Sequence, residues 1–193
     1  MKKNTDKESI QSVLLDVKRV VKVVKGGRKF SFSALVVAGD KKGRVGFGVR
    51  KAKDVTDARE KANKASRKDM ELRKIPLYEE RTIHHDVQAK SGASRILIKR
   101  APPGTGIIAG AKVRALLQLL GVKDAVTKSI GSSNPNTVII ATLNALSKLF
   151  SPRSIAERRS KKISHLSVNG NIATNTVQSK KLTEETEKLE ETV

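Results

Sequence analysis

Apolar positions in the first part of the chain alternate in a way that predicts three β-strands. Residues 13–24 are rich in Val and Leu, and residues 29–38 form a second apolar run with partial alternation. Residues 45–49 then alternate strictly, because Val45, Phe47 and Val49 are separated by single glycines. The segment Gly39–Gly43 between the last two runs has the Gly and Asp residues of a hairpin turn. This pattern predicts a small antiparallel sheet.

The hydrophobic period changes from two to that of a helix after residue 54. Asp54 is a candidate N-cap. The residues that recur at helical spacing are Val55, Ala58, Ala62 and Ala65. Small side chains on this stripe would let the helix lie close to a sheet. The first 75 residues therefore predict a compact β-β-β-α unit, with or without a short leading helix.

The second half mixes strands and helices. Strands are predicted at 82–88, 94–100 and 125–130. A helix is predicted before Gly121, another opens at Asn134-Pro135, and a last one starts at Ser151-Pro152. The apolar face of the first helix consists of Val113, Leu116, Leu117 and Leu120. The apolar face of the second includes Val138, Thr142, Ala145 and Leu149. The expected class is α+β overall, with an α/β two-layer arrangement in this half.

We therefore expect four regions, separated by changes in composition and by Ile75-Pro76. Residues 1–16 form an N-terminal arm and residues 17–75 an N-terminal domain. Residues 76–165 form the C-terminal α/β domain. Residues 166–193 are polar and acidic, and they predict a disordered tail or a frayed helix.

Charge narrows the choice of partner. The 193 residues include 40 Lys and Arg but only 19 Asp and Glu, a net charge of +21. The two predicted domains carry +13 and +10, and the tail carries −2. A chain this basic repels itself unless a polyanion neutralises it, so nucleic acid is the first candidate and an anionic membrane surface the second. Neither a membrane-spanning run nor a signal peptide is visible, which predicts a cytoplasmic protein.

The most specific basic segment surrounds Gly26-Gly27. Six basic residues and no acid lie between Lys18 and Lys29. Two glycines would let the backbone turn tightly and approach a phosphate, although an ordinary solvated hairpin is the alternative. The candidate RNA-binding residues are Lys18, Arg19, Lys22, Lys25, Gly26, Gly27, Arg28, Lys29, Lys41, Lys42, Arg44, Arg50, Lys51 and Lys53.

Motifs for catalysis or cofactor binding are incomplete. The segment GTGIIAGAK precedes a helix, as phosphate-binding loops do, but it does not fit G-x-x-x-x-G-K-[ST]. His84 and His85 are adjacent on a predicted strand, so they would point to opposite faces. Phe47 resembles an RNA-recognition aromatic, yet the second aromatic is missing, which favours a core position. No cysteine is present. We therefore expect no enzyme, cofactor or metal, with a small-molecule kinase as the rival interpretation.

Three segments, taken together, resemble one family. VVKGGRKFSFSALVVAGDKKGRVGFG, HDVQAKSGASRILIKRAPPGTGIIAG and GSSNP occur in that order and resemble the bacterial small-subunit ribosomal protein S-five family. The similarity extends from about Val17 to Arg159. It implies an N-terminal domain like a double-stranded-RNA-binding fold and a C-terminal α/β domain. It also implies a non-enzymatic component of the small ribosomal subunit that supports decoding accuracy.

The resemblance also implies partners. The family binds small-subunit ribosomal RNA at the head–body junction, contacts ribosomal proteins S-four and S-eight, and lies near the path by which messenger RNA enters. Its first hairpin loop, here Val21 to Arg28, reaches RNA near the neck and the spectinomycin site. Gly106 and Arg114 match positions at or near the S-four contact, which makes Gly104, Gly106, Lys112 and Arg114 the candidate protein-contact residues. Ile140 and His84 depart from the family pattern, which often has arginine and proline there.

Overall fold

A computed structural model describes residues 10–78 and 81–162, which fall into two compact units, 1–149 and 150–193. The elements of the first unit are β1 (Gln11–Val24), β2 (Gly27–Gly39), β3 (Val45–Ala52), α1 (Val55–Glu71), β4 (Val87–Ser91), β5 (Ser94–Arg100), β6 (Ile107–Ile108), α2 (Ala111–Leu120), β7 (Ala125–Gly131) and α3 (Pro135–Leu146). The second unit contributes α4 (Pro152–Arg158).

The first sheet is antiparallel with the order β1-β2-β3, and α1 packs on one of its faces. This is the predicted β-β-β-α unit. A Cβ added to Gly46 would lie 2.2 Å from the Met70 amide nitrogen, and one on Gly48 would lie 2.2 Å from the Ala62 carbonyl oxygen. The buried residues of α1 are Ala58, Ala62, Ser66 and Met70, whereas Val55 is exposed. Small residues on both elements therefore bring helix and sheet into close contact.

Strand β1 starts earlier than the sequence analysis placed it. Residues 11–16, predicted as part of an arm, pair with β2, and the register shifts between Leu14 and Asp16. Hydrogen bonding to the neighbouring strand orders this segment even though Val13 and Leu14 are more than a third exposed. Residues 1–9 of the predicted arm lie outside the described residues.

The second sheet has the order β4-β5-β7-β6, with β6 parallel to β7 and the other pairs antiparallel. Helix α3 packs on β4 and β5, and α2 packs against α3. The strand predicted at 82–88 is wrong before Val87. There, the Thr82 hydroxyl donates to the Asp124 carbonyl oxygen, and Asp86 accepts a hydrogen bond from the Arg100 amide. These side-chain bonds, to residues 42 and 14 positions away, take the place of a regular strand ladder.

The predicted helix ends in this half are mostly confirmed. Helix α2 ends at Gly121, whose φ of 100° is the left-handed conformation typical of a C-cap glycine. Helix α3 begins at Pro135 after Asn134, although the Asn134 side chain makes no capping bond. Leu149 is buried as expected, but it lies three residues beyond the helix end at Leu146.

One apolar core spans both sheets. Leu35 and Val37 from β2 belong to the same buried cluster as Leu116 and Leu120 from α2 and Ile96 from β5. The turn after β2 contributes backbone bonds to this contact, because the amides of Lys41 and Gly43 donate to the carbonyl oxygens of Leu119 and Leu120. The boundary predicted at residues 75–76 falls in the segment between α1 and β4, where Ile75 is itself buried.

Helix α4 lies in the second unit, whereas the sequence analysis assigned it to the domain at 76–165. Ser151 caps it, since its Oγ accepts a hydrogen bond from the Ser154 amide at 3.3 Å. The predicted acidic tail, 166–193, lies outside the described residues. Of the helices described, none has the length and apolar character needed to cross a membrane.

Candidate nucleic-acid interface

The β1–β2 hairpin extends beyond the rest of its sheet. Strand β3 pairs with β2 only as far as the Phe32–Ala52 position, so β1 and β2 continue alone toward the turn at Lys25 and Gly26. We call residues 18–31 the arm. At its turn, Gly27 has a φ of 123°, a conformation that glycine adopts more readily than other residues. The arm contains no acidic residue.

One face of the arm carries lysines. Lys22 lies directly opposite Lys29 across the paired strands, and Lys18 lies opposite Ser33, which in turn lies opposite Lys51 on β3. Directly paired residues of an antiparallel sheet share a face. We call Lys18, Lys22, Lys29 and Lys51 the lysine face. All four are exposed and lie on the side of the sheet opposite α1. The only acidic group that the structure pairs with them is Asp16, 3.7 Å from Lys18, among the described residues.

The other face of the arm combines arginines with exposed apolar groups. The Arg19 guanidinium carbon lies 4.0 Å from the centre of the Phe30 ring. Val21 lies opposite Phe30, and Val23 lies opposite Arg28. Val23 is 75% exposed and Phe30 46% exposed, although both are large hydrophobic residues. We call Arg19, Val21, Val23, Arg28 and Phe30 the aromatic face.

The remaining basic candidates fall into two places. Arg50 lies opposite Ala34, on the α1 side of the sheet, and Lys53 follows the end of β3. Lys41, Lys42 and Arg44 lie at the β2–β3 turn, at the far end of β2 from the arm's turn, about 40 Å away along an extended strand. The structure therefore does not bring the second basic turn together with the first.

Asp40 holds the second basic turn in shape. Its buried carboxylate accepts hydrogen bonds from the amides of Lys42 and Arg44 and from Arg44 Nε, the last at 2.6 Å. Burial by itself would raise the pKa of Asp40. The hydrogen bonds from Arg44 and from the two amides outweigh burial and lower this pKa below its ordinary value. Arg44 therefore already uses its Nε–H group in a hydrogen bond within the protein.

The loop before β6 holds two of the four candidate protein-contact residues. Gly104 and Gly106 have φ of 92° and 71°, and both donate their amides to Oδ1 of Asp124, at 3.1 and 2.9 Å. Arg81 completes the arrangement with its guanidinium 3.2 Å from Asp124 Oδ2. The hydrogen bond from Gly106, followed by the contribution of Arg81, lowers the pKa of Asp124 although burial opposes this. The loop is therefore fixed by an ionised carboxylate.

The other two candidates lie on α2. Lys112 is half-buried and its Nζ donates to the Ser133 carbonyl oxygen at 3.0 Å, which ties α2 to the loop before α3. Arg114 is exposed and lies one helical turn beyond Gly110. Of this pair, Arg114 is the side chain that a partner could reach without breaking an internal bond.

Sequence reasoning missed two groups of residues. Asp124 and Arg81 are isolated in the sequence, and no motif connects them with the glycine loop. The second group lies on the outer face of the second sheet, where Lys90 is directly opposite Arg95 and Leu97 is opposite Lys128. The period-two burial along β5 was the signal for it, because buried Ile96 and Ile98 alternate with exposed Arg95 and Lys99.

His84 is packed among other side chains of the fold. His84 is half-buried and meets Tyr78 edge to face, with ring centres 5.7 Å apart. Burial lowers the pKa of His84, and the nearby His85 and Arg100 add to this effect. Within residues 10–78 and 81–162, no three side chains of the metal-binding types cluster. Phe47 is partly buried and packs against the core, as its sequence context predicted.

Fold and surface together define a basic α+β protein with a projecting cationic hairpin. Two family models match it: "Ribosomal protein S5, N-terminal domain" over residues 10–72 and "Ribosomal protein S5, C-terminal domain" over residues 89–159. The chain belongs to the ribosomal protein S5 family, whose members are structural proteins of the ribosome and not enzymes. This confirms the resemblance found in the sequence.

Curated relatives agree with the family models. The chain is 56% identical over 175 residues to the small ribosomal subunit protein uS5 of Rickettsia typhi, covering 91% of this chain and 98% of that protein. It is 55% identical to the protein of the same name from Rickettsia prowazekii, with the same coverage. For Rickettsia africae the identity is 58% over 168 residues, covering 87% of this chain and 93% of the relative.

Proposed function

We propose that this protein is a structural component of the small ribosomal subunit in the cytoplasm, and that its arm binds small-subunit ribosomal RNA. The observation that supports the proposal is that Lys22 lies directly across the paired strands from Lys29, in an arm that contains no acidic residue. Like charges placed opposite each other destabilise a sheet, so a free protein gains nothing from this pair. Phosphates between or beside the two ammonium groups would turn the repulsion into attraction.

The position of the arm supports binding at the junction of head and body. A two-stranded ribbon that extends past its sheet can enter a gap between RNA segments while the rest of the sheet remains packed on the core. Lys25 lies at the turn of this ribbon, and Arg28 and Lys29 lie three and four residues further along the chain, at the start of β2. The family resemblance noted in the sequence supports a position of the same loop near the neck of the subunit.

The glycine loop and α2 supply the protein contacts in this proposal. Asp124 fixes Gly104 and Gly106 from the inside, so the outer side of the loop presents a defined backbone. Around Gly104 and Gly106, the space where a Cβ would lie is open. Arg114 can form paired hydrogen bonds with a carboxylate of a neighbour. We propose ribosomal protein S-four as the neighbour here, S-eight as a second neighbour, and the path of entering messenger RNA close by, which links this surface to decoding accuracy.

Sedimentation of ribosomal subunits tests this function. A tagged full-length chain, expressed in bacterial cells, should migrate with small subunits on a sucrose gradient and remain there after a moderate salt wash. The variant in which Lys22, Lys25, Arg28 and Lys29 are all alanine should be depleted from that fraction. Lys148→Ala removes an exposed lysine that lies two residues after the end of α3, and this variant should sediment as the unmodified chain does. A wild-type chain that stays at the top of the gradient would refute the proposal.

A further inference from the structure

The lysine face accounts for phosphate binding but leaves the aromatic face of the same arm unexplained. Val21, Val23 and Phe30 are 49%, 75% and 46% exposed, on a ribbon that no third strand supports. Packing on α1 does not explain them, because the buried cluster between the sheet and α1 involves Ala34 and Val36, with Phe32 at its margin. Exposed apolar groups clustered on one face mark a binding surface.

The chemistry of this face favours a nucleobase. Arg19 lies over Phe30 at 4.0 Å, so a planar cation and an aromatic ring are already in contact. Unstacked RNA bases bind to such groups, by stacking on aromatic rings or on guanidinium planes. Arg28 next to Val23 adds a second cation for the phosphate of the same nucleotide. The charge of the arm favours an acidic partner, and RNA is an acidic partner that also offers flat apolar surfaces.

We propose that an unpaired base of ribosomal RNA stacks on the Arg19–Phe30 pair, with Val21 and Val23 against its sugar. The arm is then held on two faces, by phosphates on the lysine face and by a base on the aromatic face. This inference rests on the proposed function, because it requires that the arm enters RNA. It adds a contact that does not depend on net charge.

The two faces predict different salt behaviour, which allows a clean test with in vitro transcribed small-subunit ribosomal RNA and the full-length chain. Phe30→Leu keeps apolar volume but removes the ring, and Arg19→Lys keeps the charge but removes the planar group. Each should weaken binding about 5- to 100-fold at every salt concentration without changing the slope of log affinity against log salt. Lys22→Ala should instead reduce that slope by roughly 0.7 to 0.9.

Melting temperatures of the wild type and the variants show whether a substitution disturbs folding. The melting temperature of Phe30→Leu should equal that of the wild type, because the arm lies outside the buried core. Ultraviolet crosslinking of the complex, followed by mass spectrometry, should recover a nucleotide on the peptide that contains Phe30. Phe30→Leu with wild-type affinity and slope would overturn the proposal.

Three further outcomes distinguish the proposed function from the base-stacking proposal. Normal RNA binding by Phe30→Leu, combined with poor incorporation into subunits, would show that a protein covers the aromatic face and would also overturn the base-stacking proposal. If the wild-type chain does not bind the RNA at all, the proposed function fails with it. If Lys22→Ala reduces the slope but Phe30→Leu has no effect, only the stacking inference fails.

Discussion

Lys22 and Lys29 lie directly opposite each other on the two strands of the arm, with no acidic residue within the arm. An isolated protein would be more stable with an opposite charge at one of these positions. The stability of the fold therefore gives no reason for this arrangement.

Reversing one charge of this pair should separate stability from binding. We expect Lys29→Glu to raise the free energy of unfolding by roughly 0.2–1 kcal/mol at low ionic strength, because a repulsive cross-strand pair becomes attractive. The gain should shrink as salt screens it. The same variant should bind RNA more weakly. Urea denaturation at two salt concentrations measures the first effect, with Lys148→Glu as the matched charge control. A less stable Lys29→Glu at low salt would contradict this account.

Close packing of α1 on the first sheet makes Gly48 intolerant of a side chain. A Cβ there would lie 2.2 Å from the Ala62 carbonyl oxygen and 2.7 Å from the Ser66 amide nitrogen, both of which are backbone atoms. We expect Gly48→Ala to cost roughly 1–3 kcal/mol of unfolding free energy. Gly26→Ala is the control, since nothing lies within 4 Å of its added Cβ. Equal denaturation midpoints for the two variants would show that α1 moves away easily.

The sequence predicted the elements of the fold well and their distant contacts poorly. Alternation at 45–49 and helical spacing around Ala58 and Ala62 are local patterns, so β3 and α1 were found from them. The strand predicted at 82–88 failed before Val87 because Thr82 bonds to Asp124, which is 42 residues away. Residues 11–16 were assigned to the N-terminal arm, although the apolar run at 13–24 overlaps it, because pairing with β2 depends on a partner strand that a local pattern does not show.

The candidate site shows the same limit. Basic residues around Gly26-Gly27 could be identified because they are contiguous, and they form one arm. Their division into a lysine face and an aromatic face required the register of Val21 with Phe30, which the turn fixes. Asp124 could not be identified at all, because an isolated carboxylate gives no sign that two glycine amides will meet it.

Two buried carboxylates should make stability fall in acid. The pKa values of Asp40 and Asp124 are both below the ordinary 3.8. A group whose pKa is lowered by folding stabilises the fold fully above its unfolded pKa and loses that contribution as pH falls through the folded value. We expect wild-type stability to drop below about pH 4. Asp124→Asn and Asp40→Asn should each show a smaller drop between pH 5 and pH 2, measured by urea denaturation. Parallel curves for wild type and variants would contradict this.

The glycine loop should influence decoding if it contacts S-four. Gly106 has a φ of 71°, so any larger residue strains the loop that Asp124 holds. A weaker contact would change the balance between open and closed subunits, and about 1.4 kcal/mol would change it tenfold. We expect Gly106→Arg and Arg114→Ala to raise stop-codon readthrough in a cellular reporter while subunits still assemble.

The control for this experiment is Lys148→Ala, which changes an exposed basic residue away from the loop. Its readthrough should equal that of the wild type. Normal incorporation of both Gly106→Arg and Arg114→Ala with unchanged readthrough would show that this surface does not affect accuracy.

The central claim is that the arm binds RNA phosphates, and the salt dependence of RNA affinity tests it most directly. Affinity of the full-length chain for small-subunit ribosomal RNA is measured from low to moderate salt, for wild type and for the variant with alanine at Lys22, Lys25, Arg28 and Lys29. If each residue neutralises one phosphate, the slope of log affinity against log salt should fall by about 3 in the variant. A variant with the same slope as the wild type would contradict the claim.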